Sequence, residues 1–297
     1  MTTTVCLFAG IGGTAKGARD AGHEVIMVER DPVAVTTLRA NFPESVVIQA
    51  DVKLINWVEF RREHGPVDVL EGGPPCQPFS QGGPQSGEYD PRDCIPDFID
   101  AVRILQPRIF VMENVWTLTW KKYRDYFVKF MDDMMNAGYR VQFKVMRMDK
   151  YGLPQARKRL FVVGVRNDIE KSVVWPDETP GITTMADALD WTEQTAVDRA
   201  QKAPGEYAYP GWVFNRASTT VVGSFRPEVQ AAPGYRKAGD RPRQYTPGSV
   251  VTTLSEALIL QGLPADWYVA GNEAQQRLQV GNACPPAMTR QIVEVNL

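Results

Sequence analysis

The chain has 297 residues, 43% of them hydrophobic, and a formal charge of −2, which is enough apolar material for one large domain with or without a smaller companion. No basic and then apolar leader precedes Val5, and no apolar run approaches the roughly 20 residues of a membrane-spanning helix, so neither secretion nor membrane insertion is expected and a cytoplasmic protein is. The cysteines Cys6, Cys76, Cys94 and Cys284 show no CxxC spacing and the only histidines are His23 and His64, which argues against a zinc site, a disulfide framework or histidine-based catalysis.

In chain order, Thr4–Phe8 and Glu24–Val28 read as short buried strands, with an amphipathic helix over about 14–21 between them and another over 32–41. Strands at 46–49, 67–70 and 109–112 continue the series, and helices at about 95–105 and 123–137 fill the gaps. Residues 139–148 and 160–165 read as a closing pair of strands. This alternation predicts an α/β fold built on a doubly wound sheet. Between Trp175 and about Gln275 the pattern loosens into Pro, Gly and aromatic residues, which predicts a smaller, irregular, β-rich domain. A final helix over 285–295 begins with proline.

The small net charge conceals strong segregation. Residues 140–172 carry 9 basic and 3 acidic groups, residues 173–198 carry 0 and 6, and residues 199–246 carry 8 and 3. Two basic blocks flanking an acidic one fit either solvated faces or surfaces that meet phosphates, and charge alone leaves both open.

Chemistry concentrates in a few short runs. Gly72 to Ser80, GGPPCQPFS, presents Cys76 on a stiff Gly/Pro loop directly after a strand, where a thiolate nucleophile can be aimed. The run IFVMENV ends a second strand in Glu113 and Asn114, and such strand ends are where open α/β sheets build sites. The glycine run Gly10-Ile11-Gly12-Gly13 after the first strand, with Glu29 ending the second, fits a ribose-bearing cofactor; on this evidence alone an NAD enzyme and a methyltransferase are equally supported.

FAGIGG, GGPPCQPFS, MENV, QARKR (Gln155 to Arg159) and QVGNACPP (Gln279 to Pro286), in this order, resemble the C5-cytosine DNA methyltransferase family. The resemblance covers residues 4–166 and about 246–292. It implies a Rossmann-like catalytic domain discontinuous in sequence, 1–174 plus 276–297, around a target-recognition domain over 175–275. It implies S-adenosyl-L-methionine as cofactor, held by Phe8, Gly10, Gly12, Glu29, Asp51, Val52, Pro75 and Asn282, with no metal.

Cytosine C5 is too weak a nucleophile to take a methyl group unaided, so a thiolate must first add at C6, and Cys76 has that role by resemblance. Glu113 would stabilise the activated ring at N3 as a buried, proton-carrying carboxyl. Arg157 and Arg159, alternating at a strand entrance and hence on one side, would grip O2 and a phosphate. The target base must be flipped out of double-stranded DNA, and Ser80, Gln81, Arg216, Arg226, Arg236 and Arg243 are the expected DNA contacts. Cys6 stands where the family usually has Asp or Ser, with a small effect expected near the methionine end. Two rivals keep the fold: a tRNA cytosine-5 methyltransferase and a catalytically silent DNA-binding relative. A monomer is expected, and a cognate restriction endonuclease would be a separate chain.

Overall fold

A computed structural model describes residues 1–75, 93–203, 208–222, 229–230 and 248–297. Cys76, Ser80, Gln81, Arg226, Arg236 and Arg243 lie outside these described residues. Contacts divide the chain into two units, one formed by Met1–Met146, Lys158–Pro176 and Cys284–Leu297, the other by Arg147–Arg157 and Asp177–Ala283.

The first unit is a seven-stranded sheet made of β1 (Thr3–Leu7), β2 (Glu24–Glu29), β3 (Val46–Gln49), β4 (Val69–Gly72), β5 (Ile109–Val115), β6 (Tyr139–Arg147) and β7 (Lys158–Arg166), in the order β3-β2-β1-β4-β5-β7-β6. The first five pair in parallel, and β7 runs antiparallel to β5 from Ile109↔Val165 to Val115↔Arg159. That full-length pairing carries β5 three residues past its expected end, so Glu113 and Asn114 are strand residues. The order reverses between β1 and β4, the switch point at which parallel sheets open a crevice at their carboxyl ends.

Helices cover both faces because successive strand residues alternate between them. Val5, Leu7, Leu70, Phe110 and Met112 join one apolar cluster with Trp57 and Phe60 of α3 (Trp57–His64), Phe98 and Val102 of α4 (Ile95–Leu105), and Phe127 and Phe130 of α5 (Arg124–Asn136). Helix α3 was not anticipated. Its eight residues bury only Trp57 and Phe60, too few to show a period among RREH, and the helix is fixed instead by Asn56, whose Oδ1 accepts from Val58 N and Glu59 N, both at 3.2 Å.

On the other face, α1 (Gly13–Asp20) meets α10 (Pro286–Asn296) almost backbone to backbone. A Cβ on Gly13 would lie 2.0 Å from the Cys284 carbonyl oxygen, and one on Gly17 would lie 2.4 Å from that of Pro286. Helix α2 (Pro32–Asn41) starts at Asp31, whose side chain caps Val33 N at 2.9 Å, with Pro32 preset for the first turn.

The second unit has little regular sheet among its described residues: the pair β8 (Val229–Gln230) and β9 (Val250–Val251), and an isolated bridge from Gln155 to Ser218. Its described residues also form four helices, α6 (Met185–Leu189), α7 (Glu193–Gln201), α8 (Leu254–Leu260) and α9 (Glu273–Asn282). Reciprocal capping boxes start α8 at Thr253 and Glu256 and α9 at Asn272 and Gln275.

Residues 147–157 and 276–283, expected in the large domain, belong to this unit because two buried side chains tie them there. Gln155 Nε2 donates to Leu260 O and Gln261 Oε1, both at 2.9 Å, while its Oε1 accepts from Val221 N at 3.0 Å. Arg157 is the second. Among the described residues no helix is long and apolar enough to cross a membrane.

Candidate active site

The carboxyl ends of β1 and β2 build a strained turn. Beyond Leu7 the backbone turns left-handed at Phe8 (φ 54°), Gly10 (φ 54°) and Gly12 (φ 86°). For Phe8, a residue with a Cβ, this costs on the order of 1 kcal/mol or more and persists only where neighbours over-determine it. They do so here: Ala9 N donates to Val28 O at 3.2 Å and Gly12 N to Ala9 O at 2.8 Å.

Glu29 completes the brace. Its Oε2 accepts from Gly10 N at 2.9 Å, and its Oε1 accepts from Arg30 N at 2.8 Å and Asp31 N at 2.9 Å. Oε2 keeps a lone pair for a further donor, whereas Oε1 is filled by its two N–H groups. Past β3, Asp51 caps the turn at Val52–Leu54 through Lys53 N at 3.1 Å and meets Arg30 Nη1 at 3.4 Å, and Val52 is buried beside it.

These residues fit a nucleoside joined to an amino acid. A Cβ on Gly10 would meet nothing within 4 Å, so there is open space over the turn. Helix α1 opens without a side-chain cap or an acid in its first turn, which leaves main-chain N–H groups for a carboxylate. Glu29 and Asp51 offer acceptors for hydroxyl and amino groups. Asn282 belongs to the second unit, exposed at the end of α9.

The second cluster lies on β4, β5 and β7. Gly72, Gly73, Pro74 and Pro75 lead toward Cys76, and Asn114 Nδ2 holds this segment by donating to Pro74 O at 3.3 Å. A Cβ on Gly73 would come 3.2 Å from Glu113 Oε2, so glycine allows the carboxyl to sit against the main chain. The other oxygen of Glu113 accepts from Arg159 Nε at 2.8 Å, with the two side chains only 15% and 17% exposed. Glu113 is thus held between Gly73 on one side and the Arg159 guanidinium on the other.

The two arginines of QARKR part company. Arg159, on β7, joins Glu113 in the first unit. Arg157 precedes the strand, is 1% exposed, and donates through Nη1 to Val221 O at 2.8 Å and through Nη2 to Gly281 O at 2.9 Å within the second unit. The alternation that predicted a shared side holds only inside a strand, and β7 begins at Lys158.

Three further arginines of the basic block 140–172 are engaged within the protein. Arg140 donates to the carbonyls of Arg166, Asn167, Ile169 and Lys171, Arg147 pairs with Asp149, and Arg166 pairs with Asp168. Arg216 is exposed, with its carbonyl accepting from Met185 N at 2.8 Å.

One residue of this region went unread in the sequence. Glu71 is the register partner of Cys6 across the switch point and only 1% exposed. Its Oε2 accepts from Cys6 Sγ at 3.7 Å and its Oε1 has no partner. Burial pushes its carboxyl up to about 8, and burial together with the adjacent Glu71 charge raises the Cys6 thiol well above its ordinary range. The signal was an acid inside VLEGG, an otherwise apolar strand.

Residues 2–202 match the family model for C-5 cytosine-specific DNA methylases. The chain is 30% identical to the Type II methyltransferase M1.HphI of Haemophilus parahaemolyticus, over 99% of this chain and 86% of that one. It is also 30% identical to the Type II methyltransferase M.NgoMIV of Neisseria gonorrhoeae, over 98% and 97%. Among solved structures, the Entamoeba histolytica methyltransferase EhMeth superposes with a TM-score of 0.71 at 15% identity over 99% and 97% of the two chains, and the S. pombe Dnmt2 methyltransferase with 0.69 at 15% over 100% and 98%. The sheet with its reversal, the glycine turn and these matches lead to one conclusion: the chain belongs to the C-5 cytosine-specific DNA methylase family.

Proposed function

We propose that this protein methylates C5 of a flipped-out cytosine in a specific double-stranded DNA sequence, as the modification enzyme of a restriction-modification pair. The observation that carries the reading is the Glu113–Arg159 pair at 2.8 Å against Gly73, three residues before the nucleophile candidate Cys76. S-adenosyl-L-methionine, when bound, supplies an electrophilic methyl group.

The residues of the chain do the rest. Cys76 adds to C6 as a thiolate and makes C5 nucleophilic toward the methyl group; once C5 is methylated, its proton passes to a water base and the C6–S bond breaks to return the thiolate. Glu113 hydrogen-bonds N3 and carries the proton that keeps the activated ring neutral. To do so it exchanges its contact with Arg159 for the base, and the freed guanidinium turns to O2, so one rearrangement arms both groups.

Phe8, Gly10 and Gly12 shape the cofactor turn, Glu29 receives ribose hydroxyls, Asp51 and Val52 the adenine, and Pro75 and Asn282 border the methionine end. Arg157 fixes the main chain at Val221 and Gly281 within the second unit. Ser80 and Gln81 fill the gap left by the flipped base, and Arg216, Arg226, Arg236 and Arg243 contact DNA.

The test is transfer of labelled methyl to unmethylated genomic DNA and, in parallel, to total RNA. We expect label in DNA as 5-methylcytosine, abolished in Cys76→Ala. Label confined to RNA would make this a tRNA-type enzyme, and cofactor binding without label in either would make it a silent relative.

A further inference from the structure

The glycine turn and the nucleophile loop leave the sheet on either side of its switch point, and between them lies a carboxyl group to which the functional reading assigns no task. Glu71 and Cys6 are register partners on β4 and β1. Their side chains meet on the sheet face opposite the Phe98 cluster, since Gly72, the next residue, is the one that backs onto Phe98.

The Thr14 side chain, in the first turn of α1, also bears on Cys6 and favours its ionised form. A path of contacts thus runs from Glu71 through Cys6 to the turn of the helix whose uncapped N–H groups face the cofactor site. A carboxyl 1% exposed with an unpartnered oxygen is costly to keep, and an unsatisfied buried polar atom calls for an explanation.

Other charged groups on the flanking elements are already engaged. On α1, Lys16 pairs with Asp20 and Arg19 donates to Asn41 O. On α10, Arg290 pairs with Glu294. On β5, Val111 lies in register with Glu71, and Glu113 beyond it pairs with Arg159. Only burial and the contact with Cys6 move the acidity of Glu71. Because the interior screens weakly, a cation arriving over the switch point acts on Glu71 with little competition.

We propose that Glu71 is a positioning residue that reads the charge of the methyl donor, releasing its proton to solvent when the cationic sulfonium binds and recovering a proton when the neutral thioether product takes its place. The inference rests on the cofactor assignment made above. It gives the enzyme a means of preferring donor over product, two ligands that differ by one methyl group and one positive charge, where shape alone discriminates weakly.

The sign follows from linkage. Burial places the carboxyl at about 8 in the free protein, so it is protonated at pH 7, and the bound sulfonium lowers that value. Donor affinity then rises with pH, by up to about tenfold per unit, until it levels off near pH 8, while product affinity lacks this component.

The experiment is calorimetric titration of the full-length protein with S-adenosylmethionine and S-adenosylhomocysteine, at pH 7 in two buffers of different ionisation enthalpy. The α-amino group common to both ligands cancels in the comparison. Wild type should release close to one more proton with the sulfonium than with the thioether. Glu71→Gln, with folding checked by circular dichroism, should abolish that difference and lower the donor-to-product preference about tenfold, and Glu71→Asp should restore part of it.

Equal proton release for the two ligands in wild type would overturn the proposal without need of any variant, as would a difference that survives in a folded Glu71→Gln. Binding of neither ligand would overturn the cofactor assignment itself and this inference with it.

Discussion

The two units are held together by different means. In the first, apolar side chains repeat at strand and helix spacing and bury themselves between layers; Phe98, fully buried, packs its ring edge-on to Phe110 at 6.1 Å, which in turn meets Tyr139 at 5.2 Å. In the second, irregular chain is tied by long side chains reaching main-chain carbonyls: Gln155, Arg157 and Gln261, each fully or almost fully buried. Removing apolar area weakens the first kind of unit in proportion to what is lost. Removing one tie from the second strands several buried polar groups at once.

Substitutions can break or sharpen this contrast. Phe98→Ala should cost about 3–5 kcal/mol in denaturant unfolding, the range for truncating a buried aromatic side chain. Arg157→Met should cost about 3 kcal/mol, from two charge-assisted bonds lost and two carbonyls left unpaired. Hydrogen exchange should place that loss at 218–221 and 280–281 and leave the seven-stranded sheet protected. Arg159 gives the converse: Arg159→Met should abolish methyl transfer and, by leaving the mostly buried Glu113 without its partner, cost about 3 kcal/mol, with the loss of exchange protection confined to β5 and β7. Loss of protection at the same amides in both variants would erase the distinction between them.

A pH series probes the buried acid. Because Glu71 in the folded chain holds its proton up to about 8, against an ordinary value of 4.5, its contribution is fully present below pH 4.5 and is lost as pH rises through 8. The melting temperature of Glu71→Gln should therefore gain on wild type across that window. Thr253→Ala, which removes one half of a capping box, should cost about 1 kcal/mol. Smallest of all, Arg30→Ala should cost about 0.5 kcal/mol or less, because its partner Asp51 lies across an exposed 3.4 Å pair.

The same contrast decides what could be read in the sequence. Strands β1 to β5 and helices α2 and α4 announced themselves by the period of their apolar residues. In QARKR the spacing of two arginines suggested one side of one strand. What separates them is that β7 starts at Lys158 and that Val221 and Gly281, more than 60 and 120 positions away, supply acceptors for Arg157. No local pattern records such partners. Glu113 was visible as an acid after an apolar run, but its engagement with Arg159 depends on β7 lying beside β5. Glu71 stood in plain sight between Leu70 and Gly72, and its meaning emerged only when β1 brought Cys6 into register.

The glycine-faced packing of α1 on α10 also sets an order of events during synthesis. The carbonyls of Cys284 and Pro286 leave the ribosome only after the whole second unit, long after the Gly13 and Gly17 that they fit against. Throughout translation of the second unit, the helix that carries the cofactor turn has no lid on that side. The nascent chain can assemble its parallel strands and still lack a rigid binding turn, so competence waits for α10 to emerge, after the insertion has had its chance to fold.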